Sequence, residues 1–367
     1  MSIDKVIISG GGTGGHIFPA LAIANEIKRR NPNAEILFVG ALGRMEMEKI
    51  PAEGYEIIGL PVIGFPRKPG VKMVTFFLKL RKSAKMARKI VRTFHPQIAI
   101  GVGGYASGPL LRAAATQNIP TLIQEQNSYA GITNKLLGRR VNTICVAYDN
   151  MERFFPKRKI VFTGNPVRAN LTEQLTNNKE ARTFLGLKEK DKVILVVGGS
   201  LGARSFNMAV EKNLDAIADS GVHLIWQTGA FYYDSIIDKL RDKKPANIQI
   251  HKFLSRMDMA YAAADLVVSR AGAGTISELC MVGKPAILVP SPNVAEDHQT
   301  KNALALVNKK AALMLNDYEI GDKLFPLAFD IIANKQKCSE LANTILTLAK
   351  PDATAAIVDE AEKLVNR

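Results

Sequence analysis

Two segments half a chain apart carry the same pattern, a short apolar run followed by a glycine-rich turn. They are KVIISGGGTGGH at residues 5–16 and KVILVVGGSLGA at residues 192–203. A run that is apolar at every position is typical of a parallel strand buried on both faces, and parallel strands need crossover helices between them. With 367 residues the chain is long enough for about two domains. The pattern therefore predicts two Rossmann-like domains in tandem.

The other apolar runs extend this to an α/β fold with two doubly wound parallel sheets. We expect strands at residues 6–9, 36–39, 98–102, 121–123, 143–146, 193–197, 222–226, 266–269 and 286–289. Glycine and proline near residue 165 predict the boundary. The expected domains are 1–165 and 166–349, with the C-terminal helix 350–367 packing back on the first. Ligands bind such sheets at the carboxyl ends of the strands, so the domains are expected to face each other across a cleft.

The basic charge of the chain is confined to one half. Residues 1–165 hold 24 Lys and Arg against 10 Asp and Glu, whereas residues 166–367 hold 25 against 24. A half of this kind is expected to face something anionic, which is nucleic acid, a membrane surface or a phosphorylated substrate.

The apolar segments and the cysteines indicate a reducing compartment. The stretch before Gly10 is too short for a signal peptide, and no apolar run reaches the roughly 18 residues of a transmembrane helix. Cys145, Cys280 and Cys338 are isolated and form no CxxC pair, so we expect buried thiols. The protein is expected in the cytosol or on the cytosolic side of a membrane.

Glycine-rich or small polar loops follow three predicted strands of the first half. In the loop at residues 10–15, five of six residues are glycine. Bare backbone N–H groups at a helix N-terminus suit a pyrophosphate. Loops at residues 101–109 and 124–131 follow two later strands in the same way. Three converging loops therefore favour a phosphate-bearing ligand.

The first loop by itself admits two other interpretations. Its glycines could serve only the close packing of strand and helix. They could also belong to a nicotinamide or flavin site, but that site needs an acid at the end of the second strand, and Glu35 stands at its start.

The second half repeats the anion-binding design and adds side chains suited to a nucleotide sugar. The loop at residues 198–207 contains Ser200, and polar residues recur at 298–302. Glu278 follows a glycine-rich turn in a predicted helix, where a carboxylate can accept from both hydroxyls of a ribose. The alternative for Glu278 is a first-turn acid that only complements the helix dipole.

Several catalytic motifs are missing from the sequence. The five histidines lack metal-ligand spacing, and no Asp-x-Asp or GxxxxGK[ST] motif occurs. No cofactor or metal is therefore predicted. A departing diphosphate would have to be stabilised by helix N-termini and by cations such as Arg168.

Six motifs, in order, resemble those of the bacterial lipid-linked N-acetylglucosaminyltransferases of peptidoglycan synthesis. They are GGTGGHIFPALAIA, GVGGYASGP, EQNSYAGITNK, GNPVR, GGSLGARSFN and GAGTISEL. The resemblance implies a glycosyltransferase B fold, inversion of the anomeric centre and no required metal. It implies transfer of N-acetylglucosamine from UDP to undecaprenyl-diphosphate-N-acetylmuramoyl-pentapeptide. Two residues depart from the family pattern, Gln124 in place of histidine and His298 in place of glutamine.

The resemblance also implies roles for individual residues, with the acceptor in the first domain and the UDP-sugar in the second. His16 is the first candidate for the general base and Glu125 the second. Acceptor contacts are expected from Gly12, Gly103, Gly104, Tyr105 and Asn127. Donor contacts are expected from Thr13, Gly14, Gly15, Asn127, Arg168, Ser200, Asn207, Phe253, Leu254, Glu278, His298, Gln299 and Asn302.

Two other functions remain open. A UDP-N-acetylglucosamine 2-epimerase has the same tandem architecture, but it needs carboxylates in the cleft and has no reason for a one-sided charge. A nucleic-acid-binding protein would use the basic half, but no nucleic-acid module is recognisable. The expected partners are therefore UDP-N-acetylglucosamine, the lipid-linked acceptor and an anionic membrane surface, not nucleic acid. The expected location is peripheral, on the cytoplasmic face of the bacterial inner membrane.

Residues 67–92 predict a helix that docks on that membrane, since they hold ten Lys and Arg and no acid. At about 100° per residue, two stripes separate. The stripe expected to face the core comprises Phe76, Leu80, Ala84, Ala87 and Val91. The basic stripe comprises Arg81, Lys85, Arg88 and Arg92, with Val74, Phe77 and Leu78 on or near its side. Apolar residues beside a basic stripe suit shallow insertion among anionic headgroups; a soluble basic helix is the alternative.

Overall fold

Two parallel sheets organise the protein in a computed structural model, which describes residues 2–66, 70–167, 178–241 and 243–366. Each sheet belongs to a separate unit. The first unit comprises residues 1–168 and 350–367, and the second comprises residues 169–349. The predicted fold class, α/β with two doubly wound sheets, is confirmed.

The first unit contains a seven-stranded sheet. Its strands are β1 (Lys5–Ser9), β2 (Glu35–Ala41), β3 (Glu56–Leu60), β4 (Ile98–Gly101), β5 (Thr121–Glu125), β6 (Thr143–Val146) and β7 (Ile160–Phe162). Its helices are α1 (Gly14–Arg30), α2 (Glu46–Ala52), α3 (Val71–Phe94), α4 (Ser107–Ala115), α5 (Ile132–Gly138) and α15 (Ala353–Val365). The strand order across the sheet is β3-β2-β1-β4-β5-β6-β7. Successive strands are therefore added towards one edge from β1 to β3 and towards the other edge from β4 to β7, and the change occurs between β1 and β4. Ligands bind beyond the carboxyl ends of the strands at such a reversal.

The second unit contains a six-stranded sheet. Its strands are β8 (Lys192–Val197), β9 (Val222–Gln227), β10 (Ile248–His251), β11 (Leu266–Ser269), β12 (Ala286–Leu288) and β13 (Leu313–Met314). Its helices are α6 (Asn178–Phe184), α7 (Arg204–Lys212), α8 (Leu214–Asp219), α9 (Tyr233–Leu240), α10 (Met257–Ala263), α11 (Ala273–Val282), α12 (His298–Val307), α13 (Ile320–Ala333) and α14 (Lys335–Leu346). The order β10-β9-β8-β11-β12-β13 repeats the reversal at β8 and β11.

The central strands are buried on both faces, as their unbroken apolar sequence predicts. In β1, Val6 and Ile8 pack in the cluster that includes α1 and α15, whereas Ile7 packs in the cluster on the opposite face. The C-terminal helix is fixed by ion pairs as well as by apolar contact. Arg30 of α1 lies 2.6 Å from Asp359 and 2.9 Å from Glu362 of α15.

Helix α3 departs from the predicted orientation in its first half. Ala87 and Val91 are buried as expected. Phe76 and Ala84, however, are only half-buried, and Leu80 is 39% exposed. The prediction that the whole apolar stripe faces the core is therefore wrong for the first turns of this helix. Arg67 and Lys68 of the predicted basic segment lie outside the described residues.

Two of the three cysteines are buried as expected. Cys145 and Cys280 are buried, and burial raises the pKa of the Cys280 thiol to about 12. Cys338 is only half-buried, because it lies on α14 with part of its side chain towards solvent. None of the helices in the described ranges is both long and apolar enough to cross a membrane.

Candidate active site

Two glycine loops of the first unit touch backbone to backbone beyond β1 and β4. The loop at residues 10–15 leads into α1, and Gly103 and Gly104 lead towards α4. A Cβ atom on Gly104, whose φ is 88°, would lie 2.6 Å from the carbonyl oxygen of Gly11. Only glycine permits this approach. The contact brings the candidate acceptor residues Gly12, Gly103 and Gly104 together.

The start of α1 supplies three of the candidate donor contacts. Thr13 occupies the N-cap position and is exposed, and Gly14 and Gly15 are the first two helical residues. The first N–H groups of a helix have no partner within the helix and favour anions. These residues therefore lie in the first unit, beside the glycine loops.

His16 lies between these two loops. Its Nδ1 is 3.0 Å from the carbonyl oxygen of Gly11. Because a carbonyl oxygen only accepts, Nδ1 is the protonated nitrogen and the lone pair of the neutral ring is on Nε2. A Cβ atom on Gly103 would lie 2.7 Å from that Nε2, so the ring rests on the bare backbone of the second loop. This geometry presents a basic nitrogen at the loop junction.

Glu125, the second candidate base, is 1% exposed and bonded on both carboxylate oxygens. One oxygen accepts from the backbone and side-chain nitrogens of Asn127, at 3.1 and 3.3 Å. The other accepts from Gly131 N at 3.0 Å and from Asn134 Nδ2 at 2.9 Å. The four hydrogen bonds fix the carboxylate against the third loop, which places Asn127.

Gln124, where the family pattern has histidine, is completely buried. Its amide nitrogen donates to Asn165 Oδ1 at 2.8 Å, and its amide oxygen accepts from Gln126. Gln126 also donates to the carbonyl oxygen of Val102 at 2.8 Å. Gln124 thus belongs to an amide network behind the loops.

Glu46, at the start of α2, supports the first glycine loop and is not among the residues singled out in the sequence. Its two carboxylate oxygens accept from Gly12 N at 2.8 Å and from Ala41 N at 3.0 Å. The side chain is 1% exposed. The available signal is an acid five residues beyond the end of β2, near the place where a dinucleotide site has its acid.

Tyr105 follows the second glycine loop and is 49% exposed. A Cβ atom on Gly64 would lie 2.8 Å from the Tyr105 hydroxyl. The side chain of Tyr105 therefore packs against the backbone of Gly64, where another side chain would clash with it. Arg168, expected beside the donor phosphates, lies outside the described residues.

In the second unit, two further loops approach each other as closely as those of the first. A Cβ atom on Gly202, whose φ is 86°, would lie 2.0 Å from the carbonyl oxygen of Thr228. Asn207 is buried behind this contact, where it donates to Thr228 O at 3.1 Å and accepts from Trp226 Nε1 at 3.0 Å. Ser200 is exposed at the tip of the loop. Asn207 therefore supports the loop and Ser200 is accessible to a ligand.

Gln227 is not among the candidate residues predicted from the sequence. Its hydrogen bonds connect this loop to the segment that contains the candidates Phe253 and Leu254. Its amide nitrogen donates to Gly199 O at 3.1 Å, and its amide oxygen accepts from Leu254 N at 2.8 Å. Leu254 is buried, whereas the neighbouring Phe253 is 54% exposed. The bonds hold Phe253 beside the glycine loop.

Glu278 is the sixth residue of α11, and the first turn of that helix contains no acid. The interpretation of Glu278 as a first-turn acid is therefore wrong. The carboxylate is half-buried and accepts a hydrogen bond from the Tyr261 hydroxyl at 3.1 Å. It is held in a defined position after the glycine-rich turn.

The remaining candidates lie on α12. His298 and Gln299 are its first two residues and are half-buried, and Gln299 accepts from Ser291 N at 2.8 Å. Asn302 is fully buried and lies 3.4 Å from the carbonyl oxygen of Ala271. Asn302 therefore supports the turn before α11.

The candidate residues thus form two sets, one in each unit. No group of three or more His, Cys, Asp or Glu within the described ranges is arranged to hold a metal ion. What the two sets offer is backbone N–H groups at helix starts, a histidine and a carboxylate suited to a ribose.

Comparison with known proteins agrees with this chemistry. The glycosyltransferase family 28 N-terminal domain matches residues 6–146, and the family 28 C-terminal domain matches residues 193–357. The chain is 55% identical to the UDP-N-acetylglucosamine--N-acetylmuramyl-(pentapeptide) pyrophosphoryl-undecaprenol N-acetylglucosamine transferase of Parabacteroides distasonis, over 99% of both chains. It is 54% identical to the protein of that name from Cytophaga hutchinsonii, over 99% of this chain and 97% of the relative.

Among solved structures, the crystal structure of Acinetobacter baumannii MurG matches 98% of this chain and 99% of its own, with a TM-score of 0.77 and 29% identity. UDP-GlcNAc 2-epimerase from Neisseria meningitidis matches 98% of this chain and 100% of its own at a TM-score of 0.68, but at 15% identity it shares the fold alone. The resemblance found in the sequence motifs is confirmed. The chain belongs to glycosyltransferase family 28.

Proposed function

We propose that the protein transfers N-acetylglucosamine from UDP-N-acetylglucosamine to the 4-hydroxyl of undecaprenyl-diphosphate-N-acetylmuramoyl-pentapeptide, the lipid-linked precursor of peptidoglycan. The observation that carries the proposal is 55% identity, over 99% of both chains, to a relative named for this transfer. The 2-epimerase alternative has only the shared fold in its favour. Both matching family models are glycosyltransferase domains and do not support the nucleic-acid alternative.

The two units divide the substrates in this proposal. The touching glycine loops of the first unit bind the acceptor diphosphate through backbone N–H groups. The second unit binds the donor, with Ser200 on the UDP phosphates, Glu278 on the ribose, and His298 and Gln299 on the sugar. The acceptor hydroxyl attacks the anomeric carbon from the side opposite to UDP, which inverts the configuration.

His16 is the better candidate for the general base. A base needs a lone pair that can accept the proton, and because Nδ1 donates to Gly11 O the neutral ring carries its lone pair on Nε2. Glu125 already accepts four hydrogen bonds and is almost completely buried. We assign Glu125 to loop support and His16 to proton removal.

The experiment that tests the function is incubation with UDP-N-acetylglucosamine and a short-chain analogue of the lipid-linked acceptor, followed by mass spectrometry. A disaccharide product is expected. Isomerised nucleotide sugar without transfer would identify the epimerase. Salt-sensitive binding to DNA, with neither reaction, would identify the nucleic-acid binder.

Replacing Glu278 by Ala is expected to weaken UDP binding by about 1–3 kcal/mol, because charge-assisted bonds to the ribose hydroxyls are lost. Isothermal titration calorimetry measures the affinity, and the melting temperature is expected to change little. Tyr261→Phe is the matched control, since it removes the intramolecular donor but keeps the carboxylate. Unchanged UDP affinity with a much lower melting temperature would assign Glu278 to stability alone.

We also propose that the protein docks on the cytoplasmic face of the bacterial inner membrane through α3. Val74, Phe77 and Leu78 are 61%, 57% and 66% exposed on this helix. The helix carries basic residues along its length and contains no acid. Apolar side chains insert among headgroups, and each nearby cation adds about 1 kcal/mol on anionic lipid. Docking would bring the enzyme to an acceptor whose tail stays in the bilayer.

The double variant Phe77→Ser and Leu78→Ser is expected to bind anionic vesicles at least about tenfold more weakly, because two inserted side chains are lost. Vesicle sedimentation measures the binding, which should also weaken with salt. Tyr318→Ser, at an 85% exposed aromatic residue of the second unit, is the control. Equal binding to neutral vesicles would contradict docking without affecting the transferase proposal.

A further inference from the structure

An apolar groove of about 580 Å³ lies in the first unit between α3, α4 and α5. Its lining includes Phe76 and Leu80 of α3 and Ile132 and Leu136 of α5. Its volume is within the range of roughly 300–1,000 Å³ found for small-molecule sites. The groove is therefore large enough for a ligand.

The groove explains why the apolar residues in the first half of α3 are not buried in the core. Ala87 and Val91 complete the core, whereas Leu80 remains 39% exposed in the groove. Ile132 and Leu136, which also line the groove, are 62% and 73% exposed. A continuous exposed apolar surface is unfavourable in water and typically marks a binding site.

The groove begins at the acceptor loops. Tyr105 lines it and directly follows Gly104, whose backbone touches that of Gly11. Gly108 and Pro109, in the first turn of α4, also line it. The groove therefore starts one residue from the glycine loops, at Tyr105.

The charges along the groove favour an anionic amphiphile. Arg88, Arg112 and Arg140 line it, and no carboxylate does so among the described residues. The side chains of these three arginines form no hydrogen bond or ion pair within the described part of the chain. An apolar channel with unneutralised cations suits a hydrocarbon chain attached to phosphate better than a neutral peptide.

We propose that this groove binds the isoprene units of the lipid-linked acceptor that lie next to its diphosphate. The inference rests on the proposed function. It adds that the protein itself, and not only the bilayer, binds the isoprene units nearest the diphosphate. The groove is distinct from the docking surface, because Val74, Phe77 and Leu78 do not line it. The chain thereby selects its acceptor by tail as well as by sugar.

Binding of dimethylallyl, geranyl and farnesyl diphosphate, measured by calorimetry without detergent or vesicles, tests the inference. Each added isoprene unit is expected to tighten binding by about tenfold, which is about 1.4 kcal/mol. Ala84→Phe fills the groove and is expected to abolish this gain, while binding of inorganic diphosphate stays unchanged. Leu136→Asp, at a 73% exposed position where folding is not at risk, should do the same. Phe77→Ser, outside the groove, should keep the full gain.

Equal affinity for all three prenyl diphosphates, or a gain that survives both groove substitutions, would overturn the proposal. So would equally tight binding of dihexanoyl phosphatidylglycerol, which would make the groove a phospholipid site. The experiments distinguish a failure of the groove proposal from a failure of the proposed transferase function. Transfer to a short-chain acceptor without dependence on tail length overturns the groove alone, whereas prenyl diphosphate binding without transfer overturns the proposed function alone.

Discussion

Replacing His16 by Ala is expected to lower kcat by about 10²–10⁴-fold while KM for UDP-N-acetylglucosamine stays nearly unchanged. The substitution removes the nitrogen that receives the proton of the attacking hydroxyl, but it leaves the donor site of the other unit intact. The position of the ring depends on the bond from Nδ1 to Gly11 O and on the bare backbone at Gly103. A Gly103→Ala variant would displace the ring and should lower kcat in the same way.

Steady-state kinetics with both substrates measures this effect, and the pH profile identifies its cause. A protonated imidazole cannot accept a proton, so kcat of the wild-type enzyme should fall on the acid side, and that limb should be missing in His16→Ala. His95→Asn is the control, because His95 is an exposed histidine of the same unit with a φ of 51° that asparagine tolerates. An increase in KM for the acceptor alone would make His16 a diphosphate ligand.

The sequence predicts the central strands of both sheets well and the edge strands not at all. Nine predicted strands lie within two residues of the observed bounds. The four that were missed, β3, β7, β10 and β13, are the outermost strands of the two sheets. β3 and β10 are interrupted by polar or glycine residues, and β7 and β13 have only three and two residues, so none of the four forms a long apolar run. A strand can be predicted from the sequence when it is buried on both faces, because its residues are then nearly all apolar.

The candidate site shows the same limit at the level of side chains. The glycine loops were predictable, because a ligand or a second backbone that approaches closely requires glycine in a local motif. Glu46 and Gln227 were not, because each acts on a loop more than 25 residues away in the chain. Glu125 looked like a possible base for a different reason: its donors Gly131 and Asn134 belong to the same motif, but the sequence does not show that they converge on its carboxylate. The hydrogen bonds that distinguish supporting from reactive polar residues are set by the folded structure, whether the partner is far along the chain, as for Glu46 and Gln227, or within one motif, as for Glu125.

The contact between the two loops of the second unit gives the second large effect. We expect Gly202→Ala to destabilise that unit by about 2–5 kcal/mol, of which the left-handed φ contributes roughly 1–2 and the displacement of packed backbone the remainder. The added Cβ would lie 2.0 Å from Thr228 O, which is itself held by Asn207. The carbonyl therefore has no easy direction in which to move.

Gly199→Ala in the same loop separates the two contributions, because Gly199 also has a positive φ, of 100°, but nothing lies within 4 Å of an added Cβ atom. It should cost only the roughly 1–2 kcal/mol of the strained φ. At about 2–4 °C per kcal/mol, thermal unfolding should show Gly202→Ala melting near 10 °C below the wild type and Gly199→Ala only a few degrees below it. UDP affinity should fall by about 10- to 100-fold in Gly202→Ala, since a loop shift of about 1 Å is enough to misplace phosphate ligands. Equal melting temperatures for the two variants would mean that the loops separate without cost, and that their contact does not shape the donor site.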